Sequence, residues 1–279
     1  MEATMSAAAA PFLAPVVKPG DTVGFISPAS PIYYTSWTPK TYPEHINQTV
    51  SPLGLKSKFA PHCFEEYGYL AGTDQQRADD VMAMFKDPSV KMIVANRGGW
   101  GCNRFIDMLD YEVIARNPKV IMGYSDLTGL LNAIHTKTGL VTFHGPMGLD
   151  QWWSKGDGVS GKVVHQMVQQ AAPLRLTNTD NVPIRTITSG RARGKLVGGN
   201  LSVFSAMIGC TNCEASNKNR TLPLDLIIDQ KIKPLGIPAF TGAMFGHDLD
   251  AQYTLPIGLE VEIDSASGTI QMLESAVRL

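Results

Sequence analysis

Strand and helix patterns alternate along the chain from residue 21 to about residue 146, and no other feature constrains the fold as much. Continuous apolar runs such as VKMIVAN (90–96) and VIMGYS (120–125) are typical of strands buried on both faces. Segments with apolar residues at helical spacing alternate with these runs. Such βα units form a parallel sheet covered by helices. The sequence therefore predicts an α/β domain over residues 15–150.

The pattern changes after residue 150. Residues 151–183 carry several glycines and a tryptophan pair and are interpreted as a linker. Residues 184–279 contain short strand-like runs punctuated by Gly and Pro, which predict a smaller β-rich domain. Within it, residues 254–264 and 269–275 are expected to pair as a hairpin. In the N-terminal part of the chain, residues 32–53 show no regular spacing of apolar residues and are predicted to be a loop.

The bulk composition excludes some classes of partner. The 24 basic and 25 acidic residues nearly balance, which argues against nucleic acid or an anionic membrane surface. No continuous apolar stretch of the sequence approaches the ~20 residues that a membrane-spanning helix needs. The first twenty residues lack a basic region before their short apolar stretch, so we interpret them as a loose leader and not a secretory signal.

The cysteines give no sign of a disulfide framework, and a reducing cytoplasm fits them best. Cys210 and Cys213 have a metal-like spacing, but no second pair or histidine cluster follows them. Because a structural zinc site needs about four ligands, we predict no metal and no cofactor.

Ser125 stands at the predicted corner between a strand and a helix, where it is either a helix N-cap or a nucleophile. A nucleophile elbow usually reads Gly-x-Ser-x-Gly. Gly123 fits this motif, whereas Leu127 replaces the second glycine. The turn at residues 97–101, RGGWG, follows the neighbouring strand, so one of its N–H groups could be a second oxyanion donor. A tight turn needed only for packing explains the glycines equally well.

A serine nucleophile needs a base, and three histidines are candidates. His135 lies within a predicted helix, and His144 ends the next strand. His247 follows Gly246 on a predicted loop, which makes it the better candidate. A triad also needs an acid to hold the imidazole. Spacing does not choose among the acids between the corner and His247, which are Asp150, Asp157, Asp180, Glu214, Asp225 and Asp229.

Short motifs in a fixed order make the chain resemble the serine L,D-carboxypeptidases. The matching stretches are GD (20–21), SPAS (27–30), GYLAGTD (68–74), RGGWG (97–101), GYSD (123–126), FHGP (143–146), GGNL (198–201), GIP (236–238), GH (246–247) and TLPIG (254–258). Each is short, but together they cover most of residues 15–150 and 190–275.

The resemblance implies a two-domain homodimer without a metal. It implies cytoplasmic hydrolysis of the bond to a C-terminal D-amino acid, such as the D-alanine of murein tetrapeptides, in peptidoglycan recycling. Ser125 would be the nucleophile and His247 the base. The backbone N–H groups of Asp126 and of Gly98 or Gly99 would bind the oxyanion. Other substrate contacts would come from Arg97 and Trp100.

The chain departs from the family pattern in two places. Residues 31–57 do not resemble the helix usually found after the first strand, and only 26 residues separate Gly209 from Gly236. Family members carry a longer segment there, including the triad glutamate. Glu214, within the shortened residues 210–235, is the one candidate to replace it. The alternative function is therefore a catalytically weakened homologue that binds muropeptide-like ligands.

Overall fold

The computed structural model describes residues 10–153, 156–178, 182–207, 224–247 and 249–279. The strands in these residues are β1 (Thr22–Ile26), β2 (Lys56–Phe59), β3 (Val90–Ala95), β4 (Val120–Gly123), β5 (Thr142–His144), β6 (Arg175–Leu176), β7 (Arg185–Thr188), β8 (Arg191–Lys195), β9 (Ala239–Thr241), β10 (Leu255–Ile257), β11 (Glu260–Asp264) and β12 (Thr269–Met272). The helices are α1 (Tyr42–Val50), α2 (Asp74–Lys86), α3 (Tyr111–Arg116), α4 (Leu127–Thr138), α5 (Val159–Gln169), α6 (Leu201–Met207) and α7 (Leu224–Ile227).

A six-stranded sheet forms the centre of the fold, in the order β10-β5-β4-β3-β1-β2. Strands β1 to β5 are mutually parallel, and β10 pairs with β5 in the antiparallel direction. Helix α2 packs on β1 and β3, and α4 packs on β4 and β5. The apolar runs are continuous because these strands are covered: β3 is buried except at Lys91. The predicted α/β fold is confirmed.

The second half of the chain adds antiparallel sheets. One has the order β6-β12-β11-β8, and the other pairs β7 with β9. The predicted hairpin is confirmed, since β11 and β12 pair in register with Asp264 opposite Thr269. The range 151–183, expected to be a linker, contains α5 and β6, and β10 belongs to the central sheet. The proposed domain limits stay a prediction.

The prediction of a loop over residues 32–53 is wrong, because this range contains α1. Tyr42, Ile46 and Val50 follow one another at four-residue spacing and are buried together on one face. Polar residues lie between these three positions, and Pro43 stands in the first turn of the helix. The helical spacing of the apolar residues is therefore difficult to recognise in the sequence. The helix expected after the first strand of the resembled family is therefore present.

Arg77 of α2 connects the loops at the carboxyl ends of β1 and β3. Its buried guanidinium donates from Nη1 to the carbonyl oxygens of Pro28 (2.7 Å) and Gly101 (2.9 Å). It also lies 5.0 Å from the centre of the Phe105 ring and pairs with Asp74. Hydrogen bonds from a charged donor are stronger than neutral ones, so Arg77 fixes both loops against the helix.

We expect Arg77→Met to lower the free energy of unfolding by about 2–4 kcal/mol, because two carbonyls in the interior lose their donor. The matched control is Arg116→Met, whose exposed guanidinium pairs with Glu112 at 3.4 Å. That change should stay within about 0.5 kcal/mol. Urea unfolding followed by circular dichroism measures both, and equal effects of the two substitutions would contradict this role of Arg77.

Candidate active site

Ser125 occupies a strained turn between β4 and α4. Its φ is +58°, and among the described non-glycine residues only Asp157 also has a positive φ. Such a conformation costs of order 1–3 kcal/mol and is found preferentially at functional sites. Gly123 permits the turn, since a Cβ there would lie 2.8 Å from Leu127 Cγ. Leu127, which replaces the second glycine of the elbow motif, is fully buried.

His247 and Ser125 form a hydrogen bond although they lie 122 positions apart in the sequence. His247 Nε2 lies 2.9 Å from Ser125 Oγ. This distance suits transfer of the hydroxyl proton to the ring, with Ser125 as donor when the imidazole is neutral. His247 follows Gly246, whose φ of +152° lies in a region that favours glycine.

The other two candidate histidines have different surroundings. His135 is bonded through Nδ1 to the carbonyl oxygen of Leu140 at 3.0 Å. His144 is buried at the end of β5, and its ring centre lies 6.2 Å from that of Tyr124. Burial and the charge of nearby His247 lower the pKa of His144 to about 4, so this imidazole is neutral at pH 7. Of the three histidines, only His247 bonds to Ser125.

The glycine turn after β3 lies directly against Ser125. A Cβ at Gly98 would lie 2.9 Å from Ser125 Cβ and 3.5 Å from the Asp126 backbone nitrogen. A Cβ at Gly99 would overlap Ser30 Oγ. Among the described residues, no protein acceptor takes the N–H groups of Gly98, Gly99 or Asp126. These groups are therefore close to the serine and available to a developing oxyanion.

The side chain of Asp126 connects the glycine turn that follows β3 with the strand-to-helix corner at Ser125. Its buried carboxylate accepts a hydrogen bond of 2.8 Å from the backbone N–H of Cys102. Burial raises the pKa of Asp126, and the hydrogen bond from Cys102 opposes that shift. The side chain of Asp126 thus holds the loop, while its backbone N–H donates to no acceptor among the described residues.

An open cavity of about 260 Å³ lies over Ser125 and His247. Its further lining residues are Thr35, Arg97, Gly98, Gly99, Tyr124, Met147, Leu149 and Asp150. Arg97, predicted to contact substrate, lines this cavity, and its Nη1 donates to Pro31 O at 3.3 Å. Trp100, predicted with it, is 57% exposed and does not line this cavity. Its role stays a prediction.

Tyr124 is a residue of the site that sequence reasoning did not single out. Its ring centre lies 5.3 Å from that of His247, and its hydroxyl donates to Asp150 Oδ1 at 3.3 Å. Burial and the charge of Asp150 raise the pKa of Tyr124 to about 12, so the phenol keeps its proton. Its place beside the serine in GYSD was the only sequence signal. Asp150, one of the candidate acids, also accepts from the Met147 N–H at 2.7 Å.

No carboxylate hydrogen-bonds to the His247 ring within the part of the chain that the structure describes. The predicted acid, Glu214, lies outside the described residues, as do Cys210 and Cys213. In the described ranges, no group of three or more His, Cys, Asp or Glu side chains could hold a metal ion. No described helix has the length and apolar character needed to cross a membrane.

Comparison with known proteins gives consistent matches. Residues 23–145 match the family model described as the LD-carboxypeptidase N-terminal domain. A probable murein peptide carboxypeptidase of Bacillus subtilis is 30% identical over 306 aligned positions, covering 90% of this chain and 91% of that protein. A murein tetrapeptide carboxypeptidase of Pseudomonas aeruginosa is 31% identical over 166 positions, covering 56% of this chain and 52% of that protein.

A solved structure, that of an MccF-like protein from Bacillus anthracis, superposes with a TM-score of 0.79. The match covers 94% of this chain and 99% of the other, at 24% identity. At that identity the likeness shows the fold alone.

We expect Gly98→Ala to lower kcat for a peptide ending in D-alanine by about 10²–10³-fold, because the added methyl displaces Ser125 from the oxyanion donors. The matched control is Gly194→Ala in β8, where a Cβ meets nothing within 4 Å. It should leave kcat unchanged. A kcat of Gly98→Ala within threefold of the wild-type value would contradict the proposed arrangement.

Proposed function

The chain belongs to the LD-carboxypeptidase family, and from that premise we propose that this serine carboxypeptidase hydrolyses the bond to a C-terminal D-amino acid, as in murein tetrapeptides. The names of the Bacillus and Pseudomonas relatives support murein peptides as the substrate class. The single observation that carries the proposal is the 2.9 Å contact between Ser125 Oγ and His247 Nε2.

In the proposed reaction, Ser125 Oγ attacks the carbonyl carbon of the last peptide bond while its proton passes to His247 Nε2. The carbonyl oxygen becomes an oxyanion and accepts hydrogen bonds from the N–H of Asp126 and of Gly98 or Gly99. His247 then gives the proton to the leaving nitrogen, the C–N bond breaks and the D-residue departs. Water then attacks the carbonyl carbon of the remaining ester and gives a proton to His247. The C–O bond to Ser125 breaks, His247 returns the proton to Ser125 Oγ, and the shortened peptide leaves as a carboxylic acid.

A carboxypeptidase must recognise a free terminal carboxylate. Arg97 lines the cavity over Ser125, and its guanidinium group matches a carboxylate in charge and geometry. We therefore assign Arg97 to the carboxylate of the leaving D-residue. This contact would favour substrates with one residue beyond the scissile bond over longer ones.

Three finer points of the proposal rest on the family resemblance. The enzyme acts in the cytoplasm, it takes part in peptidoglycan recycling, and it works as a homodimer. Sedimentation equilibrium tests the dimer directly.

We expect Ser125→Ala to lower kcat for D-alanine release from an L,D-tetrapeptide by about 10⁶-fold, because the nucleophile is lost. Released D-alanine is measured with a D-amino-acid oxidase assay, and Ser57→Ala on β2 is the control. Release that persists in Ser125→Ala would remove Ser125 from the mechanism. Tetrapeptide binding by calorimetry without turnover in the wild type would support the alternative of a binding homologue.

Glu214 stays the proposed third member of the triad. We expect Glu214→Gln to lower kcat by about 10⁴-fold, as loss of the orienting acid does in a serine triad, because the imidazole tautomer is no longer held. Glu66→Gln, at an exposed glutamate that lies outside the helices and strands, is a control with the same chemical change. A kcat of Glu214→Gln within threefold of wild type would remove Glu214 from the site.

A further inference from the structure

A separate cavity, of about 220 Å³, lies at the amino ends of β3 and β4, whereas the cavity over Ser125 lies at their carboxyl ends. Three prolines, three cationic side chains and one amide line it: Pro15, Pro88, Pro118, Lys91, Lys119, Arg278 and Asn117. No aspartate or glutamate is among the described residues of this lining. None of the seven residues takes part in the reaction proposed above.

Lys119 brings a buried ammonium group to this cavity. Its Nζ donates to Met84 O at 2.7 Å and to Asp87 O, two carbonyls at the end of α2. The last carbonyls of a helix have no partner within the helix, so this contact explains why a lysine is buried here. An ammonium has three N–H groups, and acceptors for two of them are present among the described residues. The third N–H is therefore available to a ligand.

Lys119 keeps its positive charge at neutral pH. Burial lowers the pKa of Lys119 to about 8, the charge of Asp87 opposes this shift, and the charge of Lys91 adds to it. At pH 7 most of the ammonium groups are therefore still protonated. The Asp87 carboxylate does not neutralise the cavity, because it is already bonded to Lys58 and to Ser89.

The other two cations are not engaged with acidic groups. Lys91 is the exposed position of β3, and it forms no hydrogen bond or ion pair within the described ranges. Arg278 is anchored through its backbone, which bonds to Ala14 and Val16, and through Nε, which donates to Leu13 O at 3.1 Å. In the part of the chain that the structure describes, no acceptor takes its Nη groups. A guanidinium with free Nη groups can bind a phosphate through two parallel hydrogen bonds.

The proline rings give the same cavity apolar walls. A proline side chain loses no rotamer freedom on burial, so these walls are already rigid. An inorganic ion would leave them uncovered, and an uncharged apolar ligand would leave the cations without a partner. A phosphate monoester carries a charge of about −1.5 to −2 and three strong acceptor oxygens at pH 7. Joined to a small apolar body, it satisfies both parts of the lining.

We propose that this cavity is a binding site for a small organic phosphate. The phosphate oxygens accept hydrogen bonds from Lys91, Lys119 and Arg278, and the apolar body lies between the proline rings. The site is independent of the proposed peptide hydrolysis, because it lies at the opposite edge of the sheet from Ser125.

The test is calorimetric titration of the full chain with phenyl phosphate at about pH 7.5, where the second pKa of about 6 leaves a dianion. We expect one site per chain in about 50 mM NaCl, and an affinity at least about threefold lower in about 0.5 M NaCl, since salt screens charge pairs. Inorganic phosphate, which lacks the ring, should bind at least about threefold more weakly. Benzyl alcohol, which lacks the charge, should show no binding.

The variants locate the bound phosphate. Lys91→Gln and Arg278→Gln should each weaken phenyl phosphate binding at least about fivefold, through loss of a charge-assisted hydrogen bond. The matched control is Lys56→Gln, since Lys56 is also an exposed lysine on a strand of the central sheet. Arg97→Gln removes the cation that lines the cavity over Ser125. Both controls should leave the affinity within about twofold of the wild-type value.

Absence of phenyl phosphate binding at about 10 mM would overturn the site, since a usable contact of this kind corresponds to a Kd of about 1 mM or tighter. Affinity that survives both Lys91→Gln and Arg278→Gln would overturn it as well. Binding lost in Arg97→Gln and kept in Lys91→Gln would assign the phosphate to the cavity over Ser125 instead. Equal affinities for phenyl phosphate and inorganic phosphate would contradict an organic ligand.

Discussion

The parallel pairing of β3 with β4 is the constraint on which the site depends. Val94 pairs with Met122 near the carboxyl ends of both strands, and neighbouring strands lie only about 4.8 Å apart. The turn that follows β3 and the corner that follows β4 must therefore meet at one edge of the sheet. A side chain at Gly98 would prevent this approach, so glycine is the residue that allows backbone N–H groups to face the serine.

The strained corner at Ser125 is held by contacts outside the motif itself. Asp126 bonds to the Cys102 N–H, and Leu127 is packed in the core behind the turn. Arg77 holds the other end of the same loop through Gly101. An unfavourable φ of order 1–3 kcal/mol persists only when the surrounding structure fixes it. Here the buried helix and the hydrogen-bonded loop provide that restraint, which links the stability of the α/β sheet to the geometry of the nucleophile.

The residues that line the cavity over Ser125 lie outside the strands of the sheet. Met147, Leu149 and Asp150 follow β5, and Arg97, Gly98 and Gly99 follow β3. Loops at the carboxyl edge of a parallel sheet form its ligand sites, because the strand ends there are not covered by helices. The candidate active site thus lies at this edge of the sheet.

Local patterns in the sequence were sufficient for the parallel sheet, the corner at Ser125, the glycine turn beside it and the hairpin of β11 and β12. Strands and helices are recognised by apolar residues repeated every two or 3.6 positions, and tight turns are recognised by glycine. Both signals lie within a few neighbouring positions of the chain. The short helix α1 was not predicted because polar residues and Pro43 interrupt the helical spacing of its apolar residues. Only the tertiary structure brought His247 to Ser125 and Tyr124 to Asp150. Those contacts join residues up to 122 positions apart, and their distances are set by the packing of whole elements, which no local spacing records.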